Sequence, residues 1–218
     1  TPHKPTGFLR EFREGLVYIT ETSGLKRFLL LSLGISLFMR AYRELFAGIS
    51  DGIFGMGVEG LAILSSAAGL GAMVTAIYLG SFGKIKGLIK IIIIALLLAI
   101  ITQIVLASTN SFWVAVICAA ILSGTSTYAG IGGQLVVQNT IHGDVRGRVM
   151  SMWGIILRGG PASGAWVVGT LAGYSNLQIS LVSVTILFLF IWLWAAPQTN
   201  QMSKDLERSA EQRDSGLG

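Results

Sequence analysis

The chain has 218 residues, 52% hydrophobic and only 12% charged, with 28 glycines, two histidines and one cysteine. A soluble domain carries roughly 25% charged residues, so most of this surface is not built for water. The net charge of +5 lies between apolar runs rather than in a patch, which argues against a nucleic-acid partner. A single cysteine excludes an internal disulfide, and Cys118, inside an apolar run, reads as a small buried hydrophobe. His3 and His142 stand far apart in sequence, so no metal site and no cofactor is expected.

In chain order, the stretch FLREFREGLVYI comes first. It sets Phe8, Leu9, Phe12, Leu16 and Ile19 at helical spacing with Arg10, Glu11, Arg13 and Glu14 between them. That pattern predicts an amphipathic helix lying on the membrane surface or on the rest of the protein. Six apolar runs follow, each near the roughly 20 residues that a helix needs to cross a bilayer. They cover about residues 25–49, 58–80, 88–107, 112–137, 149–172 and 178–196. The reading is therefore an all-α integral membrane protein with a cytoplasmic lead-in (1–24), a six-helix bundle (25–196) and a polar cytoplasmic tail (197–218) whose composition suits disorder.

Charge sets the orientation, because cytoplasmic loops retain Lys and Arg. Thirteen of the sixteen basic residues flank the spans at alternate connections: Lys4 to Arg27, Lys84 to Lys90, Arg146 and Arg148, and Lys204 to Arg213. The remaining connections, near 51–59, 108–111 and 173–177, contain none. Both termini are thus expected in the cytoplasm. The third and sixth spans are almost uniformly apolar, suited to lipid, whereas the others carry the glycines and charges, which need protein or water around them. Two three-helix repeats, each with a peripheral third helix, are expected.

Chemistry is expected where ions sit inside spans. Arg40 and Glu44 are four residues apart, one turn on one face of a regular helix. An unpaired mid-membrane charge costs about 2.5–3.5 kcal/mol, so the two read as a proton or substrate site, or as a structural pair. Arg43 points away, to snorkel or to meet a partner. Arg158 has no acidic neighbour on its own span, and Glu44 is its candidate partner. Gly160 and Gly164 form a small-xxx-small pair for close helix approach, and Pro161 between them is expected to kink the span. Gly124, Gly130, Gly132 and Gly133 suggest a loosened fourth span. There Tyr128 and Gln134 are placed to hydrogen-bond a solute, or to serve as polar glue between helices. Asp144, Arg146 and Arg148 stand at cytoplasmic helix ends as a gating loop, or as positive-inside anchors.

RAYRELFAGI, VEGLAILSSAAGLGAM and HGDVRGRVMSMWGIILRGGPASGA carry a resemblance that spans almost the whole chain. The order of features resembles the C-terminal half of a major facilitator superfamily transporter, in its multidrug and enterobactin (siderophore) exporter-like branch. GDVRGRVMS is the most specific element. Gly160-Pro161-x-x-Gly164 resembles the superfamily's antiporter signature, with Ala165 in place of its last glycine. Gly80 and Gly87 keep the spacing of its cytoplasmic loop motif, with Lys84 where that motif has aspartate. The resemblance implies proton-driven efflux of small molecules, such as drugs or siderophores, by alternating access. The implied partners are the lipid bilayer, a small-molecule substrate, protons, and an N-terminal six-helix half or a second copy. The start at Thr1 rather than Met is read as part of a longer protein. The alternative is a non-transporting orphan half that acts as a membrane interaction protein. An intramembrane enzyme fits poorly: no span holds a histidine, and Asp51 and Asp144 are expected on opposite sides.

Overall fold

Leu88 to Ser108 forms a helix because the sequence there offers nothing else that a bilayer accepts. Inside hydrocarbon every backbone N–H and C=O must be bonded within the segment, and this run has no proline or glycine to interrupt the ladder. The same argument holds along the chain. The computed structural model describes residues 17, 19–20, 23–82, 87–141 and 146–205. The expectations for Phe8, Leu9, Phe12 and Leu16 of the lead-in, for His3, His142, Lys84 and Asp144, and for the end of the tail lie outside these residues. Ile19, the last apolar residue of the expected amphipathic helix, is helical and buried.

The described residues form helices joined by short connections, with no strand among them. These are α1 (Ser23–Gly34), α2 (Gly57–Phe82), α3 (Leu88–Ser108), α4 (Phe112–Thr140), α5 (Arg146–Tyr174) and α6 (Leu177–Ala195). Between α1 and α2 the chain is helical but irregular: a π-helical turn (Ile35–Met39), a 3₁₀ turn (Ala41–Arg43), one α turn (Phe46–Gly48) and a second π turn (Ile49–Ile53). Gly55 and Gly57, with φ of 63° and 50°, then turn the chain into α2, a backbone conformation that residues with a Cβ rarely adopt. Gly87, with φ 78°, does the same before α3. Asn176 caps α6, its side chain accepting from the Ile179 N–H at 2.8 Å.

Among the described residues, four helices are long and apolar enough to cross a membrane: Gly57–Ser81, Leu88–Ser108, Phe112–Thr140 and Leu177–Asp205. The other two expected spans fall short for different reasons. The first is broken into pieces, and the fifth, α5, has the length but carries Arg146, Arg148 and Arg158 together with many glycines. The last helical run continues to Asp205, past residue 196. Met202 is buried there, and Arg27 donates to the Gln201 side-chain oxygen at 3.3 Å.

The helices neighbour one another in the order α2, α4, α3, α6, α1 with the irregular segment, and α5. The Trp192 indole on α6 donates to the Ile93 carbonyl on α3 at 2.9 Å. This ties the end of one helix to the start of the other, so the two run antiparallel. The expected periphery is only partly found. Far from being the outermost, α3 has half of its apolar stretch buried because it lies between α4 and α6, whereas α2, whose one long neighbour is α4, has only 17% buried. The character of the open faces does follow the expectation. From Ile91 to Val105 every exposed residue of α3 is aliphatic, and every exposed residue of α6 is apolar. The open face of α2 includes Glu59, Ser65, Ser66, Gly69 and Tyr78, and that of α5 includes Ser151, Arg158, Gly159, Ser163 and Thr170. Trp113 at the start of α4 and Tyr174 at the end of α5 are exposed aromatic rings at one end of the bundle, and Trp194 is exposed at the other.

Candidate functional site

The irregular segment contains Arg40, Tyr42, Arg43 and Glu44, and its backbone decides where they go. The ladder changes from π-helical bonding before Arg40 to i→i+3 bonds after it: Arg43 N–H to Arg40 C=O at 3.4 Å, and Glu44 N–H to Ala41 C=O at 3.1 Å. Arg40, at φ −106° and ψ −12°, is the bend between them. The one-turn spacing expected of Arg40 and Glu44 therefore does not apply, and they form no ion pair.

Three helices hold the break. On α5, Gly160 lies against Ser36, and Gly164 lies against the Leu37 carbonyl and the Ala41 methyl. A side chain at either position would collide with the broken backbone. On α3, Gln103 is fully buried and its amide nitrogen donates to the Phe38 carbonyl at 3.2 Å, where the ladder changes register. On α4, a run of small residues receives the charged side chains. The Arg40 guanidinium lies over Gly130, whose added Cβ would stand 3.3 Å from Nη1. The Arg43 guanidinium donates to the Ser123 hydroxyl. Tyr42, fully buried, sits beside Ser126 and Arg43 without a well-formed hydrogen bond at its hydroxyl.

Buried polar atoms are nearly always hydrogen-bonded, and exceptions call for an explanation. Among the described residues four buried side-chain atoms lack a partner: Ser36 Oγ, Tyr42 Oη, Gln103 Oε1 and Trp153 Nε1. The first three lie in or against the break. Arg40, Arg43, Glu44 and Arg158 make no ion pair with any described residue. The break thus gathers unsatisfied polar atoms of both kinds, with two guanidiniums in electrostatic reach of one another.

The other sequence-derived candidates are only partly brought together. Arg158 is exposed on the open face of α5 and does not meet Glu44, which is itself exposed. Tyr128 is half-buried on α4, within electrostatic reach of Tyr78 on α2, and Gln134 is exposed two turns below. The loosened fourth span is not found. α4 is continuous from Phe112 to Thr140, because each glycine seats a neighbour instead of freeing the chain. Gly124 meets Thr75 and Gly71, Gly132 meets Ile92 and Leu88, and Gly133 meets Trp153. The α5 helix likewise runs through Pro161 uninterrupted, and the irregularity falls in the span facing it. Arg146 is exposed and Arg148 half-buried in the first turn of α5. An open groove between α2 and α4, lined mainly by Leu70, Val74, Ala120 and Ile121, is almost wholly apolar and offers no chemistry.

Three residues at the break escaped the sequence reading. Gln103 had a signal: it is the lone amide in IIIIALLLAIITQIVLA, and an amide inside a span needs a partner. Ser123 and Ser126 had none that distinguishes them from ordinary helix-packing serines.

Long apolar helices, a buried polar cluster at a broken span and open faces of contrasting polarity define a multi-pass helical membrane protein. The chain belongs to the Major Facilitator Superfamily, whose family model matches residues 18–215. No curated protein and no solved structure matches it. Membership makes it a membrane transporter embedded in a lipid bilayer and acting on a small-molecule substrate.

Proposed function

We propose that the chain forms the C-terminal half of a proton-coupled exporter of small molecules, of the drug and siderophore kind, working by alternating access in the cytoplasmic membrane. The observation that carries this is Glu44: an exposed carboxylate at the break in the first span, four residues from Arg40 and free of any ion pair among the described residues. Glu44 is the one carboxylate of the first span, four residues along the chain from Arg40, and an acidic residue inside a span is the natural carrier for a coupled proton. The break supplies the flexible joint. Irregular backbone at membrane depth is tolerated only against protein or water, and transporters place their sites at such discontinuities.

A partner half is supported by the open faces. Lipid suits the aliphatic flanks of α3 and α6. Arg158 on α5, set against acyl chains, would cost about 2.5–3.5 kcal/mol or more, so this face and that of α2 call for protein or water. A second six-helix half covers both. In this reading α1 with the irregular segment, and α5, complete a set of six spans built from two three-helix repeats. Both termini lie on the cytoplasmic side, and Arg146 and Arg148 take part in a cytoplasmic gate with Asp144.

The test is Glu44→Gln in the complete transporter, reconstituted in vesicles with an imposed pH gradient. Efflux driven by the gradient should be lost while substrate exchange at equal pH persists. Undiminished gradient-driven efflux in this variant removes Glu44 from the coupling step.

A further inference from the structure

We propose that the break in the first span is an anion-binding site, and that the ligand it takes is a small organic molecule bearing a carboxylate. The inference rests on the transporter reading for its biological meaning but not for its chemistry.

The hydrogen-bond inventory carries it. Each guanidinium offers five N–H donors and accepts nothing. Arg43 spends a donor on Ser123, and Arg40 has no polar partner over Gly130. Tyr42 adds a buried hydroxyl beside Ser126 and Arg43. The two guanidiniums thus hold more N–H donors than their described partners use. Charge points the same way. Arg40 and Arg43 stand within electrostatic reach of one another, and neither forms an ion pair with Glu44 or any other described residue. Like charges held close together inside a membrane protein repel, and each resists desolvation. A ligand carboxylate answers both deficits, since it brings the missing charge and accepts in the bidentate geometry that a guanidinium prefers.

The shape of the site agrees. Gly130 leaves room above α4 for the Arg40 guanidinium, and Arg43 is exposed while Arg40 is half-buried. The pair therefore grades from an open mouth to an inner seat. A cationic or neutral amphipath would meet unscreened positive charge here and gain nothing from the free donors.

The test is binding to the complete transporter, solubilised in detergent, followed by fluorescence anisotropy with two probes of opposite charge: carboxyfluorescein and ethidium. The wild type should bind carboxyfluorescein in preference to ethidium. Arg40→Gln and Arg43→Gln should each weaken carboxyfluorescein by about tenfold or more, as expected for lost hydrogen bonds to a charged group, and should leave ethidium unchanged or slightly improved. Arg43→Lys, which keeps the charge, should lose less than Arg43→Gln. A preference for ethidium overturns the proposal, and so does unchanged carboxyfluorescein binding in both Gln variants. Equal weakening of both dyes together with a lowered unfolding temperature also overturns it, because the arginines are then structural. Transport is read separately with the same dyes in vesicles. Selective anion binding without any transport upholds this site and sinks the exporter reading alone.

Discussion

Replacing Gln103 by Leu tests whether a buried amide holds the broken span in place. The Gln103 amide nitrogen donates to the Phe38 carbonyl at 3.2 Å from a fully buried position. Interhelical hydrogen bonds in membrane proteins average about 0.6 kcal/mol and reach about 1.7 kcal/mol. An acceptor left buried and unpaired adds about 1–3 kcal/mol. Against this, Leu removes the Gln103 Oε1 atom, which has no partner of its own, and adds apolar contact. The balance is a loss of about 1–2 kcal/mol, or roughly 2–8 °C in unfolding temperature for a chain of this size. Cys118 is 4% exposed and provides the assay, since a thiol-reactive dye labels it only as the bundle opens on heating. Thr102→Val is the control. The Thr102 hydroxyl bonds to Leu98 in its own helix at 2.7 Å, where the loss is smaller because no other helix depends on it. A Gln103→Leu protein as stable as the wild type would falsify the claim that α3 secures the break.

Glycine substitutions should separate positions that seat a neighbour from positions that do not. Gly160→Ala and Gly164→Ala press a methyl into Ser36 and the Leu37 carbonyl, and thermal unfolding should show a loss of about 1–3 kcal/mol. Gly159→Ala, with open space at its Cβ position, should be neutral or gain up to about 1 kcal/mol in helix propensity; the reverse ranking would refute the packing described. On α2, Gly71→Ala runs into the Ala120 carbonyl while Gly69→Ala meets nothing, so only the first should reduce the yield of folded protein. Trp192→Phe removes the indole donor to Ile93 and should lower stability by about 0.5–1.5 kcal/mol, read by the same thiol assay.

The positions of the helices were legible because a bilayer leaves few choices. The apolar runs expected at 58–80, 88–107, 112–137 and 178–196 became Gly57–Phe82, Leu88–Ser108, Phe112–Thr140 and Leu177–Ala195, each within three residues at either end. The first run misled because its irregularity has no local cause. LSLGISLFMRAYRELFAGIS contains no proline, and its departure from α geometry goes with contacts from other helices: Gly160 and Gly164 of α5 against Ser36 and Leu37, and the amide of Gln103. Pro161 lies inside α5, which is continuous through it. The expected pairing of Arg40 with Glu44 failed with the regular helix it assumed, and that of Glu44 with Arg158 failed because distance between spans cannot be read from one sequence. What sequence did convey about the site was its composition, with Arg40, Arg43, Glu44, Gly160 and Gly164 all at or against the break.

The rings at the two ends of the bundle have a mechanical consequence. Trp113 and Tyr174 stand at one rim, and Trp194 stands at the other near the exposed Lys90 at the start of α3. Indole and phenol rings settle at the level of the lipid headgroups, and a lysine stem reaches for the same layer. Between these rims α3 spans 21 residues, about 32 Å at the helical rise, close to the thickness of the hydrocarbon layer. The bundle is thus moored at both water boundaries and cannot bob along the membrane normal. Any movement that exposes the broken span to one side and then the other has to be a tilt about these moorings, with the surrounding lipid deforming to follow.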